Sequence, residues 1–263
     1  MAKLVRVMAA GRVAATTLLI ALVTLSGCVS STARTASDFT EFPESNGTVL
    51  LMEPDVALSM LVANGLREPR ADWSETVTGT LAEAFRTALR ARGLHVVERN
   101  RTQAHSERQV QLIKLVDAVT ASILTYHYNP DASVPAPRAT LPTKRGAFDW
   151  TLGPGATALA DGVAADYALL IRARGTYQSG GKMIVNLAVA ALRGKFQTGE
   201  QTAFIALVHL GTGDVLWTNY ARVTPIGNMR RPGGASAIAD LLLAEMPPSA
   251  DANSQAVRAG TRR

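Results

Sequence analysis

The chain has one cysteine, Cys28, among 263 residues, and only four histidines. A single thiol excludes an intrachain disulfide and any zinc site built on paired cysteines. His95, His105, His127 and His209 never stand at the i, i+4 spacing that sets two imidazoles on one helix face, so a histidine metal site has no sequence signature. The pattern G-x-S-x-G is missing too, and with it the usual sign of a serine nucleophile elbow. Aromatic residues make up 5% of the chain, too few and too scattered to interleave a basic face as a nucleic-acid binder would. A transmembrane helix needs about 20 apolar residues, and the run Val13 to Thr24 falls short of that.

That run has informative neighbours. Lys3, Arg6 and Arg12 precede it, and Leu25-Ser26-Gly27-Cys28 follows it. A positive segment, an apolar segment and a small-residue processing site, in that order, form a secretory leader. An uncleaved anchor would share the charges and the apolar run, but it gives no reason for a cysteine at the processing site. With that cysteine, the stretch resembles the lipobox of bacterial lipoprotein precursors. The resemblance implies that the signal peptidase recognises Leu25, Ser26 and Gly27. It further implies that Cys28 is lipidated and becomes the first mature residue, held to the membrane by its acyl chains. Val29, rather than Asp, follows the cysteine, which by the same resemblance points to the periplasmic face of the outer membrane.

Processing would change the charge. The formal net charge of +6 includes the three leader cations and no leader acid, so the mature chain carries +3. The remaining charge is spread out apart from Arg230-Arg231 and the tail Arg258, Arg262 and Arg263. No nucleic-acid partner is expected. Without a free thiol, stability must come from an ordinary apolar core, and a chain 47% hydrophobic is long enough to build one.

Residues 28–46 are rich in Ser and Thr and show no apolar period, which predicts a flexible tether. Thr48-Val49-Leu50-Leu51-Met52 is a continuous apolar run that suits a strand buried on both faces, ended by Pro54. A loop with Gly65 and Pro69 is expected next. Asp72 and Glu75 suggest a capping box ahead of Trp73, Val77, Leu81, Phe85 and Leu89, the buried stripe of an amphipathic helix ending at Gly93. A strand Leu94 to Glu98 completes a crossover unit with parallel strands. A second helix is predicted over Ser106 to Tyr126, followed by a proline-spaced loop to Gly146.

The C-terminal half predicts a helix over Ala156 to Ala165 and a strand over Asp166 to Tyr177. Met183 to Leu192 should be a small apolar helix buried against the sheet, although a membrane-inserting or self-associating segment would have the same composition. Strands Ala203 to Leu210 and Val215 to Val223 should pair through Gly211-Thr212-Gly213-Asp214. A last helix, Ala235 to Met246, ends at Pro247-Pro248, and residues 247–263 are expected to be disordered.

Two glycine motifs need weighing. Gly153-Pro154-Gly155-Ala156-Thr157-Ala158 fits the dinucleotide fingerprint G-x-G-x-x-A, but Arg172 and Arg174 stand where its ribose-binding acid belongs. Gly175 to Met183 approaches a phosphate loop, yet Gly181 replaces the lysine and Met183 the magnesium-binding hydroxyl. No cofactor is expected. Tyr126-His127-Tyr128 reads as a packed or surface aromatic cluster. Asp55, Asp149, Asp161 and Asp166 would need to gather before they could do acid–base work, whereas caps and turns are their ordinary uses.

The element order gives a single α/β domain over residues 47–246, with a mixed sheet of parallel crossovers and a C-terminal antiparallel hairpin, flanked by helices. Together, the lipobox, Thr48 to Met52, Ala165-Asp166-Tyr167-Ala168-Leu169-Leu170 and Leu210-Gly211-Thr212-Gly213-Asp214-Val215-Leu216-Trp217 are similar to a group of bacterial envelope lipoproteins. That group includes the curli secretion lipoprotein, the penicillin-binding-protein activator lipoproteins and the N-terminal domain of TolB. The resemblance implies a binding or assembly component of the envelope, with a protein partner or self-association, and not an enzyme. An oligomeric secretion or channel component and an envelope hydrolase are the alternatives. The amphipathic membrane hairpins of the first and the clustered catalytic groups of the second are not found.

Overall fold

The computed structural model describes residues 31–40, 42, 47–99, 106–128, 148–193, 199–223 and 228–248. The leader with Leu25, Ser26, Gly27 and Cys28, the proline-spaced residues 129–147, His105 and the tail from 249 lie outside the described residues.

The N-terminal half contains strands β1 (Ser31–Thr35), β2 (Thr48–Leu51), β3 (Asp55–Leu61) and β4 (Arg67–Pro69), then helix α1 (Ala71–Ala91), strand β5 (His95–Glu98) and helix α2 (Glu107–Ile123). A π-turn, Leu124–Tyr128, extends α2, and a 3-10 helix, Pro154–Ala160, precedes strand β6 (Tyr167–Gln178). Helix α3 (Gly180–Arg193), strands β7 (Gln201–His209) and β8 (Val215–Val223) and helix α4 (Gly234–Leu243) complete the fold.

One mixed sheet of eight strands runs in the order β1-β8-β7-β6-β2-β5, with β3 beside β6 and β4 beside β3. Strand β2 is parallel to β5 on one side and β6 on the other, as the crossover pattern predicts. From β6 to β7, β8 and β1 every pairing is antiparallel. Strand β3 carries on from β2 along β6, in register from Asp55 opposite Arg172 to Leu61 opposite Gln178. The interruption at Met52 to Pro54 follows from Pro54, which has no N–H for the ladder.

Alternate residues of the central strands serve opposite faces, so two cores form. Val49 and Leu51 of β2, Leu169 and Ile171 of β6 and Ile205 and Leu207 of β7 pack on one side with Val77, Leu81, Phe85 and Leu89 of α1 and Ile238 and Leu242 of α4. Leu50, Ala168, Phe204, Ala206 and Val208 face the other way, against Leu112 and Ile123 of α2 and Leu159 of the 3-10 helix. Each fully buried aliphatic or aromatic side chain contributes about 1.5–3 kcal/mol. The predicted α1 stripe is therefore the main weld between helix and sheet.

At the β7–β8 hairpin, Gly213 adopts φ 83, and a Cβ there would stand 2.0 Å from the carbonyl oxygen of Gly153. Only glycine fits this turn. His209 closes the loop by accepting the Thr212 N–H at Nδ1, 3.2 Å away.

Four local expectations differ from the structure. Residues 31–35, within the predicted tether, form β1 and pair with β8 from Ser31 opposite Ala221 to Thr35 opposite Trp217. An edge strand is held by backbone hydrogen bonds and needs no buried face, so its polar sequence gave no apolar period. Residues 55–69 fold as the β3–β4 hairpin rather than a loop, with Gly65 at φ 87 in its turn. The capping box at Asp72 is absent: α1 begins at Ala71, and the Asp72 carboxylate accepts from the Arg70 guanidinium instead. A true capping box occurs on α2, where Ser106 accepts from the Gln109 N–H and the Gln109 side chain accepts from the Ser106 N–H. Lastly, the predicted helix over 156–165 is a shorter 3-10 turn, started by Pro154 and ended at Asp161-Gly162.

Candidate functional site

The chain crosses from β2 to β5 through α1 on one face of the sheet, then from β5 to β6 through α2 on the other. Helices leaving to opposite faces make a switch point, and a crevice opens there beyond the carboxyl ends of the parallel strands. Its volume is ≈ 290 Å³. Leu51, Ile113, Val116, Leu159 and Leu170 give it an apolar floor, while Glu53, Asp55, Glu98, Asp117 and Arg172 stand around it.

The mouth is a network of opposite charges. Arg172 donates through Nε to Asp55 Oδ2 at 3.0 Å and through Nη2 to Asp117 of α2. Arg174 donates to the same Asp55 oxygen and to the Asp55 carbonyl. Burial pushes the Asp55 carboxyl up, but the hydrogen bond and charge of Arg174, joined by Arg172, outweigh it and hold the pKa below the ordinary aspartate value. Glu98 accepts twice from Arg86 of α1. Asp55 is thereby tied through Arg172 to α2, and Glu98 to α1. The crevice is rigid at its rim and greasy at its floor, which suits a small ligand or a single side chain of a partner with an apolar body.

A second groove, of ≈ 780 Å³, lies between α1 and residues 229–240. Trp73 stands there with the guanidinium of Arg70 4.1 Å from its ring centre and that of Arg230 at 3.5 Å, so the protein's own cations already occupy the ring.

Helix α3 corrects a prediction. Instead of packing its apolar residues on the sheet, it buries Asn186 and exposes Met183, Ile184, Val185, Leu187 and Val189, with Ile184 72% and Leu187 64% accessible. One face of the sheet is already covered by α1 and α4 and the other by α2, and α3 leaves β6 directly at its last residues. Among the described residues, no helix is long and apolar enough to cross a membrane.

The remaining candidates are held in structural contacts. Asp166 accepts from the Thr48 N–H, and Asp161 accepts from the Ser106 hydroxyl. His127 accepts the Trp150 indole N–H at Nε2, 2.8 Å away, and packs edge-on to Phe148. Burial, helped by the charge of Arg34 and opposed by Asp149, lowers the His127 pKa and favours the neutral ring this hydrogen bond requires. Tyr128 packs on Tyr220 and Phe204 and bonds Thr218, and burial pushes its hydroxyl up to about 12. Tyr126 stacks on Trp150 at the surface, so Tyr126-His127-Tyr128 is an aromatic cluster that is packed at His127 and Tyr128 and exposed at Tyr126. Gly153 to Ala158 forms the start of the 3-10 turn, and Gly175 to Met183 is strand passing directly into α3 through Ser179. No metal-binding group of His, Cys, Asp and Glu occurs among the described residues. The crevice escaped sequence reading because Asp55, Asp117 and Arg172 come from three distant elements; only the alternation of Arg172 and Arg174 in an apolar strand hinted at it.

No known protein family and no curated protein matches the chain. Among solved structures, the PelC dodecamer from Paraburkholderia phytofirmans is similar at 15% identity, over 82% of this chain and 93% of that one, with a TM-score of 0.33. A single-substitution variant of the same dodecamer is similar at 11% identity, over 83% and 94%, with a TM-score of 0.31. Superposition this loose specifies neither a family nor a function.

Proposed function

We propose that this chain is a lipid-anchored periplasmic protein of the bacterial envelope that binds or assembles with other envelope components and is not an enzyme. The lipobox Leu25-Ser26-Gly27-Cys28 supports the anchor, with Cys28 as the acylated residue. The outer membrane is its site by the Val29 reading. The crevice between β2, β5 and α2 carries the binding role: it is concave, apolar within and fixed by ion pairs at its rim. Asp161, Asp166, His127 and His209 serve a helix start, a strand end, aromatic packing and a turn, which supports a binding role over a hydrolytic one.

One experiment in membranes tests both halves. Cells making the wild-type chain are labelled with palmitate and crosslinked, beside cells making Cys28→Ala and cells making Val116→Trp, which fills the crevice. Palmitate should enter wild type and Val116→Trp but not Cys28→Ala, which stays as unprocessed precursor. A discrete crosslinked species should form in wild type and vanish in Val116→Trp. Palmitate on Cys28→Ala would sink the anchor, and an unchanged crosslink in a folded Val116→Trp would sink the binding role of the crevice.

A further inference from the structure

We propose that the exposed apolar face of α3, with Leu66 beside it, lies on the bilayer that holds the acyl chains of Cys28. The inference rests on the lipid anchor proposed above and adds a second, protein-made contact with the same membrane. Nine large apolar side chains are exposed among the described residues. Six of them, Leu66, Met183, Ile184, Val185, Leu187 and Val189, come from one end of the sheet.

Strand register defines that end. Strand β6 finishes there at Gln178, opposite Leu61 of β3, and the chain turns directly into α3. Leu66 belongs to the hairpin tip that follows β3, and a Cβ on Gly181 would meet Ala63 of that tip at 3.6 Å. Strand β7 begins at the same end and β8 finishes there, with Gln201 opposite Val223. Strand β1 is antiparallel to β8 and starts at Ser31, opposite Ala221, so the chain enters the sheet from this end too.

The chain outside the described residues then sets the distance. Only Val29 and Ser30 lie between Cys28 and Ser31, and the three Cα–Cα steps span at most about 11 Å even when fully extended. Strand β1 lies three places across from β6, roughly 14 Å at the usual strand spacing, and Ser31 is level with Ala173, five residues or about 17 Å short of Gln178. Because β1 runs away from this end of the sheet, an anchor just ahead of Ser31 lies toward the side of the domain that carries α3. There α3 presents a helix about 21 Å long with its polar Asn186 turned inward and Met183, Ile184, Val185, Leu187 and Val189 outward. That polarity is wrong for a water-facing helix and right for one lying in an interface, where apolar side chains enter about 5–10 Å below the headgroups.

The test uses the full-length lipidated protein. Acylation occupies the Cys28 sulfur, so Leu187→Cys and Val110→Cys can each be labelled with an NBD fluorophore. Val110 is an equally apolar exposed site near the start of α2, where Ser106 bonds Asp161 just ahead of β6, at the opposite end of the sheet. Both proteins are placed in vesicles of phosphatidylethanolamine and phosphatidylglycerol, with or without brominated acyl chains. The probe at 187 should lose most of its emission to the brominated lipid, and the probe at 110 should not change. Palmitate-labelled, vesicle-bound protein with an unquenched probe at 187 would overturn the inference while leaving the anchor intact. An unquenched probe whose emission shifts to the blue with protein concentration would assign the face to a second copy of the chain, which also overturns it. Protein that takes up no palmitate and leaves the vesicles would remove the anchor, and this inference with it.

Discussion

Helix α1 buries Val77, Leu81, Phe85 and Leu89 at 0–2% exposure, whereas α3 leaves Ile184 72% and Leu187 64% exposed. Both helices are amphipathic, and both follow or precede a strand of the same sheet. Their difference lies in what the fold had left to cover. Helix α1 spans a crossover between parallel strands and must lie across the sheet face. Helix α3 joins the antiparallel neighbours β6 and β7, a connection that can stay at the sheet end. Apolar spacing tells a helix that it needs a covered face; connectivity decides whether the protein itself supplies the cover.

The comparison can be broken most strongly at Phe85. Phe85→Ala removes a ring at the centre of the α1 weld and should destabilise the domain by about 3–5 kcal/mol, read from the urea midpoint of the protein lacking its leader. A loss under about 1 kcal/mol would mean that α1 is not held by its stripe.

Helix α2 sharpens the comparison because its cap is reciprocal, whereas α1 has no side-chain cap and α3 has only Ser179 accepting from the Lys182 N–H. Ser106→Ala deletes the reciprocal cap with Gln109 and the contact with Asp161, and should cost about 1 kcal/mol in the same measurement. No change would show that packing of Leu112 and Ile123 alone fixes the start of α2.

The smallest effect belongs to α3. Leu187→Ala should shift stability by no more than about 0.5 kcal/mol, since the side chain is already in solvent in the isolated protein. A cost like that of Phe85→Ala would place Leu187 in a core and erase the contrast between the two helices.

Much of the fold was legible because it rests on period. The continuous apolar run at β2, the four-residue spacing of α1 and the Gly-Thr-Gly-Asp hairpin each announce one structure by local stereochemistry. The mixed sheet flanked by helices followed from their order. Strand β1 was illegible because Ser31 to Thr35 carries no apolar alternation and is held by pairing with β8, nearly two hundred positions away. The β3–β4 hairpin was hidden by Pro54 and Pro69, which read as loop residues though they stand at strand ends. The crevice was illegible for a related reason: Asp55, Asp117 and Arg172 acquire meaning only as neighbours, and each alone is an ordinary surface charge.

By itself the sequence determined the helices and central strands, the glycine turn at Gly213 and the leader pattern ending at Cys28, since these depend on residues close along the chain. Tertiary structure alone decided that the stretch after Cys28 joins the sheet, that Asp55 is clasped by two arginines, and that the apolar face of α3 points outward at the end where the chain enters. Those outcomes depend on which surfaces remain uncovered once the sheet has closed its two cores, and no local pattern records that.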